Sequence, residues 1–350
     1  MRHPAAMLVC GLLLVALVLA GRSHAADLET ACDLPHAEDH KDVVMILWRG
    51  ESKVEAGVRA YVQANGLPLN FTCLSVKSNT DNLPRLVAKA KAMNPDLIYT
   101  WGTSTALATF GKYGQSDPDK HVTDIPAIFT MVSYPEKSGL VPSLESSRRN
   151  ITGATHTVPL AAQIRAMEAY RPIQRLGMLY NPLENNSVVN VREMKEIADK
   201  RDFEVIALPV ELDAQQRPDP DSLPRLIDKL AAREPQFLYI GPDSFIGSNR
   251  ETVIGESMAH GIPTFTSTEL EILRGDAMIG LYTSYFNLGR YMGYLAERVL
   301  MDGTPPASIP VSTLDRFTYA LRLSVADKLG LYPPLDVLSY ANVLDRATKQ

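Results

Sequence analysis

The chain has 350 residues, of which 45% are hydrophobic and 21% are charged, a composition typical of a globular protein long enough for two domains. Its 35 Lys and Arg residues against 40 Asp and Glu residues give a formal net charge of −5. This mildly acidic balance argues against a nucleic-acid-binding protein.

The first 25 residues have the pattern of a secretory signal peptide. Arg2 precedes the apolar run MLVCGLLLVALVLAG, and small residues at Ser23 and Ala25 occupy the −3 and −1 positions of a cleavage site. The apolar run is shorter than the roughly 20 residues that a membrane span needs. We therefore expect cleavage after Ala25 and export of the mature chain. An uncleaved membrane anchor is the alternative.

Two cysteines follow that cleavage site. Cys32 lies in a polar leader, residues 26–41, and Cys73 lies in the predicted strand NFTCLSV. Export would place both in an oxidising compartment, where disulfides persist. A Cys32–Cys73 disulfide would tie the leader to the strand. Spacing alone does not fix the pairing, so two free thiols remain the alternative.

Two stretches of the chain repeat at an offset of 140 residues. LPRLVAKAKAMNPDLIYTWGTS occupies residues 83–104, and LPRLIDKLAAREPQFLYIGPDS occupies residues 223–244. Each has an amphipathic helix with Pro near its start, a second Pro that stops the helix, and then a buried strand and a polar loop. Further apolar strands surround both copies in the same order. This alternation predicts an α/β protein with two similar doubly wound domains, each built on a parallel sheet.

The loops at the carboxyl ends of parallel strands are the expected ligand site. In the first copy GTSTA opens a helix whose free N–H groups suit an anion, and Thr103, Ser104 and Thr105 add hydroxyl groups. Asp243 stands in the second copy where Thr103 stands in the first, and would receive a ligand ammonium. Simple helix capping is the alternative at both places. On the ligand interpretation, Asp243→Ala weakens binding and leaves the fold intact.

The other candidate ligand residues follow the remaining strands. Trp48 and Trp101 would form an aromatic wall, or else pack in the core. Arg49 would pair with a ligand carboxylate, or only with Glu51. The remaining candidates are Ser133, Tyr134, Asn181, Glu184, Asn185 and Thr268. Donors in one half and acceptors in the other suit a zwitterion such as an amino acid.

The order and spacing of these stretches resemble the ABC-transporter substrate-binding proteins of the tryptophan-binding type, which have the type I periplasmic binding fold. Matching segments include MILWRGESKVEAGVRAYVQANG, DLIYTWGTSTALA, IPAIFTMVSYPEKSGLV and NITGATHTVPLAAQIRAM, and the likeness runs from about residue 42 to 331. The chain departs from the family at Tyr134, where Asp commonly precedes Pro, and at Trp48-Arg49-Gly50. The ligand of the better-known members therefore need not carry over.

The resemblance implies two lobes joined by a hinge with three crossings, near residues 153–158, 282–286 and 310–317. On this basis we predict an N-terminal lobe, a C-terminal lobe and a tail, which comprise residues 42–154 with 285–312, residues 155–284 with 313–335, and residues 336–350.

The resemblance implies the function of an exported, monomeric solute-binding protein of the bacterial periplasm, without catalytic activity. It would close around a small carboxylate-bearing, amino-acid-like ligand and deliver it to an ABC permease, with no cofactor, metal ion or nucleic acid. A ligand-sensing subunit for a membrane kinase or cyclase is the alternative. An exported hydrolase is a third: GESMA, residues 255–259, lacks the last Gly of a nucleophile elbow and falls in a predicted helix.

Overall fold

The computed structural model describes residues 29–31 and 39–344. Its strands, in chain order, are β1 (Glu29–Ala31), β2 (Lys41–Leu47), β3 (Leu69–Ser75), β4 (Leu97–Trp101), β5 (Ala127–Thr130), β6 (Ile151–Thr155), β7 (Arg175–Tyr180), β8 (Glu204–Pro209), β9 (Phe237–Ile240), β10 (Thr264–Thr266), β11 (Ile279–Tyr282), β12 (Ser312–Thr313), β13 (Thr318–Arg322) and β14 (Asn342–Leu344).

The helices lie between these strands. In chain order they are α1 (Lys53–Ala64), α2 (Leu83–Ala92), α3 (Thr103–Phe110), α4 (Leu160–Glu168), α5 (Asn185–Arg201), α6 (Leu223–Ala231), α7 (Ser244–Ser248), α8 (Arg250–Ala259), α9 (Glu269–Leu273), α10 (Tyr285–Leu300), α11 (Leu323–Lys328) and α12 (Leu335–Leu338). Among the described helices, none combines the length and the apolar character that a membrane span requires.

The strands form two seven-stranded sheets, one in each lobe. The first has the order β1-β3-β2-β4-β5-β6-β12, and the second has the order β14-β13-β11-β10-β9-β7-β8. All neighbouring strands pair in parallel except β1 with β3 and β11 with β13. Both faces of each sheet carry an apolar core, as expected for parallel sheets covered by helices. The predicted fold class is confirmed.

The two copies of the sequence repeat fold alike. In each, a short 3₁₀ turn precedes an amphipathic helix, α2 or α6, which leads into a buried strand, β4 or β9. The apolar positions of the two helices are buried at the same offset of 140 residues. They are Leu83, Leu86, Val87 and Ala90 in α2, and Leu223, Leu226, Ile227 and Leu230 in α6.

The chain passes between the two sheets three times. It crosses between β6 and α4, between β11 and α10, and between β12 and β13. After the second crossing, α10 returns to the first lobe and packs tightly on α1. A Cβ atom on Gly289 would lie 1.8 Å from the carbonyl oxygen of Val54, so this contact requires glycine. The helix NLGRYMGYLAERVL therefore completes the core of the first lobe.

The two ends of the described chain contain more structure than predicted. Part of the leader forms β1, which pairs with β3 so that Thr30 lies opposite Cys73. The predicted tail from residue 336 contains the end of α12 and all of β14, and β14 pairs with β13 and extends the second sheet. Both are edge strands, which bond to the backbone groups that β3 and β13 would otherwise leave unpaired.

The predicted disulfide falls partly outside the described structure. Cys73 is disulfide-bonded. Cys32 lies outside the described residues, and its pairing with Cys73 stays a prediction.

Candidate ligand-binding site

A cavity lies between the carboxyl ends of the two sheets, and we call it the inner cavity. It contains about 420 Å³ of atom-free space, including its opening to solvent. Its lining residues come from both lobes and from two of the crossings. They are Arg49, Trp101, Gly102, Thr103, Met131, Ser133, His156, Glu184, Asn186, Pro242, Asp243, Ser244, Gly247, Thr268, Leu270, Glu271 and Tyr285.

The first lobe contributes hydrogen-bond donors at the start of α3. The residue before the helix is Gly102, with a φ of +92°, so no side chain caps the first N–H groups of α3. The hydroxyl of Thr103 is buried and has no hydrogen-bond partner among the described residues. Free N–H groups, the helix dipole and an unpaired hydroxyl together make an anion-binding site on this wall of the cavity.

Asp243 occupies the equivalent position at the start of α7, and its carboxylate is fully used by the protein. Oδ1 accepts from the backbone N–H groups of Phe245 and Ile246, both at 2.9 Å. Oδ2 accepts from the N–H of Asn181 at 2.7 Å and from the hydroxyl of Ser187 at 2.5 Å. Four donors saturate a carboxylate. The predicted ammonium contact of Asp243 is therefore corrected: its primary role is to cap the helix and hold the loop after β7.

Glu184 is the neighbouring carboxylate, and its Oε2 atom can accept a further hydrogen bond from a ligand. Its Oε1 accepts from Asn186 Nδ2 at 2.9 Å and from the hydroxyl of Ser244 at 3.0 Å. Among the described residues, its Oε2 accepts only from the N–H of Ser244, at 2.9 Å, which it shares with Oε1. Burial raises the pKa of Glu184 to about 7, and the charge of Asp243 adds to the rise. A cation bound here would stabilise the carboxylate form.

Aromatic and apolar side chains form another part of the inner cavity. Trp101, Met131, Leu270 and Tyr285 all line it, and Trp101 is 8% exposed. The guanidinium of Arg49 lies over the Trp101 ring, 5.6 Å from its centroid. An apolar or aromatic ligand side chain would fit against this wall.

A second space, the outer cavity, adjoins the inner one and shares Arg49, Trp101, Leu270 and Tyr285 with it. It contains about 650 Å³ of atom-free space, including open solvent. Glu51 lines it but pairs with Arg59 at 2.5 Å, so the alternative pairing of Glu51 with Arg49 is not the one found. Lys53 of the first lobe bonds to Glu269 of the second at 2.7 Å across its edge.

Further contacts between the lobes lie on the hinge side. Asn190 of α5 donates to the hydroxyl of Tyr134 at 2.6 Å, and Lys137 pairs with Glu193 at 3.4 Å. With Lys53 and Glu269, these bonds join the lobes on two flanks of the inner cavity. The structure therefore has the lobes closed on one another. Within the described residues, no group of His, Cys, Asp and Glu side chains has an arrangement that suits a metal ion.

A family model described as ABC transporter substrate binding protein matches residues 53–344. The chain belongs to this family. A curated relative, the tyrosine-binding protein of Clostridioides difficile strain R20291, is 26% identical over 258 residues, which is 73% of this chain and 69% of that protein. These findings establish a substrate-binding protein of the ABC transporter type that takes small ligands.

Solved structures agree with this fold. A conserved domain protein from Vibrio cholerae has a TM-score of 0.76 at 20% identity, and an ABC domain in complex with L-Trp from Streptococcus pneumoniae has 0.75 at 19% identity. Each comparison covers 87% of this chain and 99% of the other. The recognition of this family from the sequence is confirmed.

The structure brings eight of the fourteen predicted ligand residues of the substrate-binding protein to the inner and outer cavities. Of these, Glu51 reaches only the outer cavity, and the others line the inner cavity. They are Arg49, Trp101, Thr103, Ser133, Glu184, Asp243 and Thr268.

The other six predicted residues line neither the inner nor the outer cavity. Trp48 packs against both cores of the first lobe. Tyr134 lies at the hinge-side contact with Asn190, and Asn181 holds Asp243 and the loop that follows β7. The last three lie on helices but not on the face that lines the inner cavity. They are Ser104, Thr105 and Asn185.

Several lining residues were not predicted from the sequence. His156 and Tyr285 lie on two of the crossings, and Leu270 and Glu271 lie within α9. The carboxylate of Glu271 is buried and accepts from the hydroxyls of Thr266 and Thr268. Burial raises its pKa, and the charge of Arg49 opposes that rise. The rule that ligands bind where strands end identifies neither residues on the crossings nor the second and third residues of a helix such as α9.

Proposed function

We propose that the chain is an exported substrate-binding protein that captures an amino-acid-like zwitterion between its lobes and delivers it to an ABC permease. The ligand α-carboxylate binds the start of α3 together with Thr103, and the ligand ammonium binds Glu184. The ligand side chain lies against Trp101 and the apolar wall beside it.

The observation that carries this proposal is an electrostatic asymmetry across the inner cavity. Glu184 and Asp243 are two adjacent buried carboxylates, and every hydrogen bond to them within the described residues comes from a neutral donor. The facing wall offers unpaired donors at Thr103 and α3. An ammonium on one side and a carboxylate on the other satisfy both walls at once.

The relatives support the same chemical class. One is described as tyrosine-binding, and the structural neighbour from Streptococcus pneumoniae contains L-Trp. Both names describe aromatic amino acids. The wall formed by Trp101, Met131, Leu270 and Tyr285 suits a side chain of that kind.

Isothermal titration calorimetry with matched ligands tests this function. The panel is the natural L-amino acids, together with analogues of each binder that lack the ammonium or the carboxylate, such as tyramine and 3-(4-hydroxyphenyl)propionate for tyrosine. We expect one or a few amino acids to bind. Each truncated analogue should bind at least about 100-fold more weakly, because it leaves either Glu184 or the donors at the start of α3 without a ligand partner. Equal affinity for an analogue and its parent, or no amino acid binder, would refute the proposal.

Delivery needs a separate measurement. Cells that lack this protein should take up the radiolabelled ligand more slowly, and the wild-type gene should restore the uptake. Glu184→Gln should restore it poorly at low ligand concentration. Normal uptake in the deletion strain, with a changed gene-expression response to the ligand, would favour a sensing role instead.

A further inference from the structure

His156 is a buried side chain of the inner cavity that belongs neither to the carboxylates Glu184 and Asp243 nor to the donors at the start of α3. It follows β6 directly, on the first crossing between the lobes, and it is 3% exposed. Its Nδ1 atom is buried and has no hydrogen-bond partner among the described residues. A buried polar atom without a partner is unfavourable in a folded protein. His156 is therefore a candidate for a hydrogen bond that a ligand supplies.

The position of His156 is fixed on both sides. The hydroxyls of Thr155 and Thr157 each donate to the backbone oxygen of Ser133 at 3.0 Å, and these bonds hold the backbone before and after it. The imidazole meets the ring of Tyr285 edge-on, with centroids 6.5 Å apart and planes at 84°. The ring is thus held in one place by two different crossings, as a recognition group should be.

The charge state of His156 decides which ligand group it suits. Burial lowers its pKa to about 4, so the imidazole is neutral at pH 7. A neutral imidazole has one donor nitrogen and one acceptor nitrogen. Arg49 and the start of α3 are the better partners for a carboxylate, and Glu184 is the better partner for an ammonium. The ligand group left as a partner for His156 is therefore a neutral polar group.

The geometry points to His156 as the residue that selects the ligand side chain, by one hydrogen bond to a neutral polar group such as a phenol hydroxyl or an indole N–H. This inference rests on the proposed function, because it places the ligand ammonium at Glu184 and the ligand carboxylate at the start of α3. The preferred solute is then an amino acid whose side chain is largely apolar or aromatic and carries a single hydrogen-bonding group.

Ligand pairs that differ in one polar atom test this role. The pairs are L-tyrosine with L-phenylalanine, and L-tryptophan with 3-(3-benzothienyl)-L-alanine, in which sulfur replaces the indole N–H. For at least one pair we expect the wild type to prefer the polar member by roughly tenfold to hundredfold, since a site built for a hydrogen bond rejects the analogue that lacks it. His156→Phe should reduce that preference to within about threefold, while phenylalanine or the benzothienyl analogue binds as before.

Two further variants control the comparison. His156→Gln can still donate and accept, so it should retain part of the preference. His260→Gln changes an exposed histidine paired with Asp228, away from the inner cavity, and should retain all of it. Independently of any variant, the ¹⁵N resonances of the His156 ring should shift when the polar member of the preferred pair binds and much less when its apolar partner binds.

The outcomes separate this inference from the proposed function. A polar-to-apolar preference that is equal in the wild type and His156→Phe overturns the inference. So does an equal loss of affinity for all four ligands, which would place His156 at the shared α-carboxylate. Binding of zwitterions without any preference within either pair overturns the inference and leaves the proposed function standing. If no zwitterion binds, the proposed function itself fails.

Discussion

The starts of α3 and α7 occupy equivalent positions in the two lobes, yet they have opposite chemistry. At α3, Gly102 leaves the helix without a side-chain cap, and the hydroxyl of Thr103 has no partner in the described chain. At α7, Asp243 caps the helix and accepts four hydrogen bonds. One helix start is thus open to a ligand anion, and the other is closed by an anion of the protein itself.

This difference shows how a duplicated scaffold acquires an asymmetric site. The helices α2 and α6 and the strands β4 and β9 retain the same buried pattern because each lobe needs the same core. The residues just beyond the strands are free of that requirement. In the second lobe, the internal cap also positions Glu184 beside it, which then faces the cavity with an acceptor to spare.

Asp243→Ala should have the largest effect on stability. It removes a helix cap and leaves the N–H groups of Asn181, Phe245 and Ile246 and the hydroxyl of Ser187 without their acceptor. We expect the free energy of unfolding to fall by about 4 kcal/mol, in contrast to the intact fold expected from the sequence. Urea denaturation measures this loss. Unchanged stability together with lost binding would restore the direct ligand role of Asp243.

Glu184 should make the stability of the unliganded protein depend on pH. Its pKa is about 7 when folded, against an ordinary value of 4.5 for an exposed glutamate. Between these values the folded state retains a proton that the unfolded state has lost, so stability falls as the pH rises, by up to about 3 kcal/mol. Below about pH 4.5 both states are protonated and the loss is absent.

Urea denaturation at pH 5 and pH 8 checks this prediction against Glu184→Gln, which does not titrate. We expect the difference between wild type and variant to grow towards pH 8, and an ammonium-bearing ligand to diminish it. Parallel pH curves for the two proteins would contradict the pKa shift. Both proteins should be compared at the same ionic strength, since salt screens charge interactions.

Thr103→Val should separate binding from stability at the open helix start. The change replaces an unpaired buried hydroxyl with a methyl group of the same shape, so the free energy of unfolding should be unchanged or rise by about 1 kcal/mol. Ligand affinity should fall about tenfold, because the carboxylate loses a donor. Calorimetry and denaturation on one preparation measure both quantities. A loss of stability with full affinity would make Thr103 a structural residue like Asp243.

Tyr134→Phe should have the smallest effect, which should be the same for every ligand. It removes the hydrogen bond with Asn190 between the closed lobes, so the closed form becomes slightly less stable. Affinity should fall about threefold to tenfold, with the ratio between any two ligands unchanged. Tyr113→Phe, at an exposed tyrosine, is the matched control. A changed ligand ratio would mean that Tyr134 contacts the ligand directly.

The sequence predicted the scaffold well because burial patterns are periodic. The repeat predicted both helices, both strands and the edge where the cavity lies. The strand ends identified Thr103, Glu184 and Asp243 as residues that line the cavity. The direction in which each side chain points was harder to predict from the sequence. Asn186 lines the cavity and Asn185 does not, since one residue along a helix is a rotation of about 100°.

Pairing between distant segments was also invisible in the sequence. His156 and Tyr285 meet only because two crossings run side by side, although the residues are far apart in the chain. Nothing local marks either as a lining residue. Asp243 shows the same limit: its capping bonds are local, but the two donors to its second oxygen, Asn181 and Ser187, lie 62 and 56 residues earlier in the chain.

The antiparallel strand β13 has a consequence for the order in which the molecule matures. The sheet of the first lobe is complete once the chain reaches β12, but β13 lies between β11 and β14 and is made almost last. During synthesis or emergence from a membrane channel, the first lobe can fold as a unit while the second still presents β11 as a bare edge. The side of the cavity that carries Glu184 and Asp243 is therefore assembled after the side that carries the start of α3. A chain cut short before residue 318 would have only one finished half.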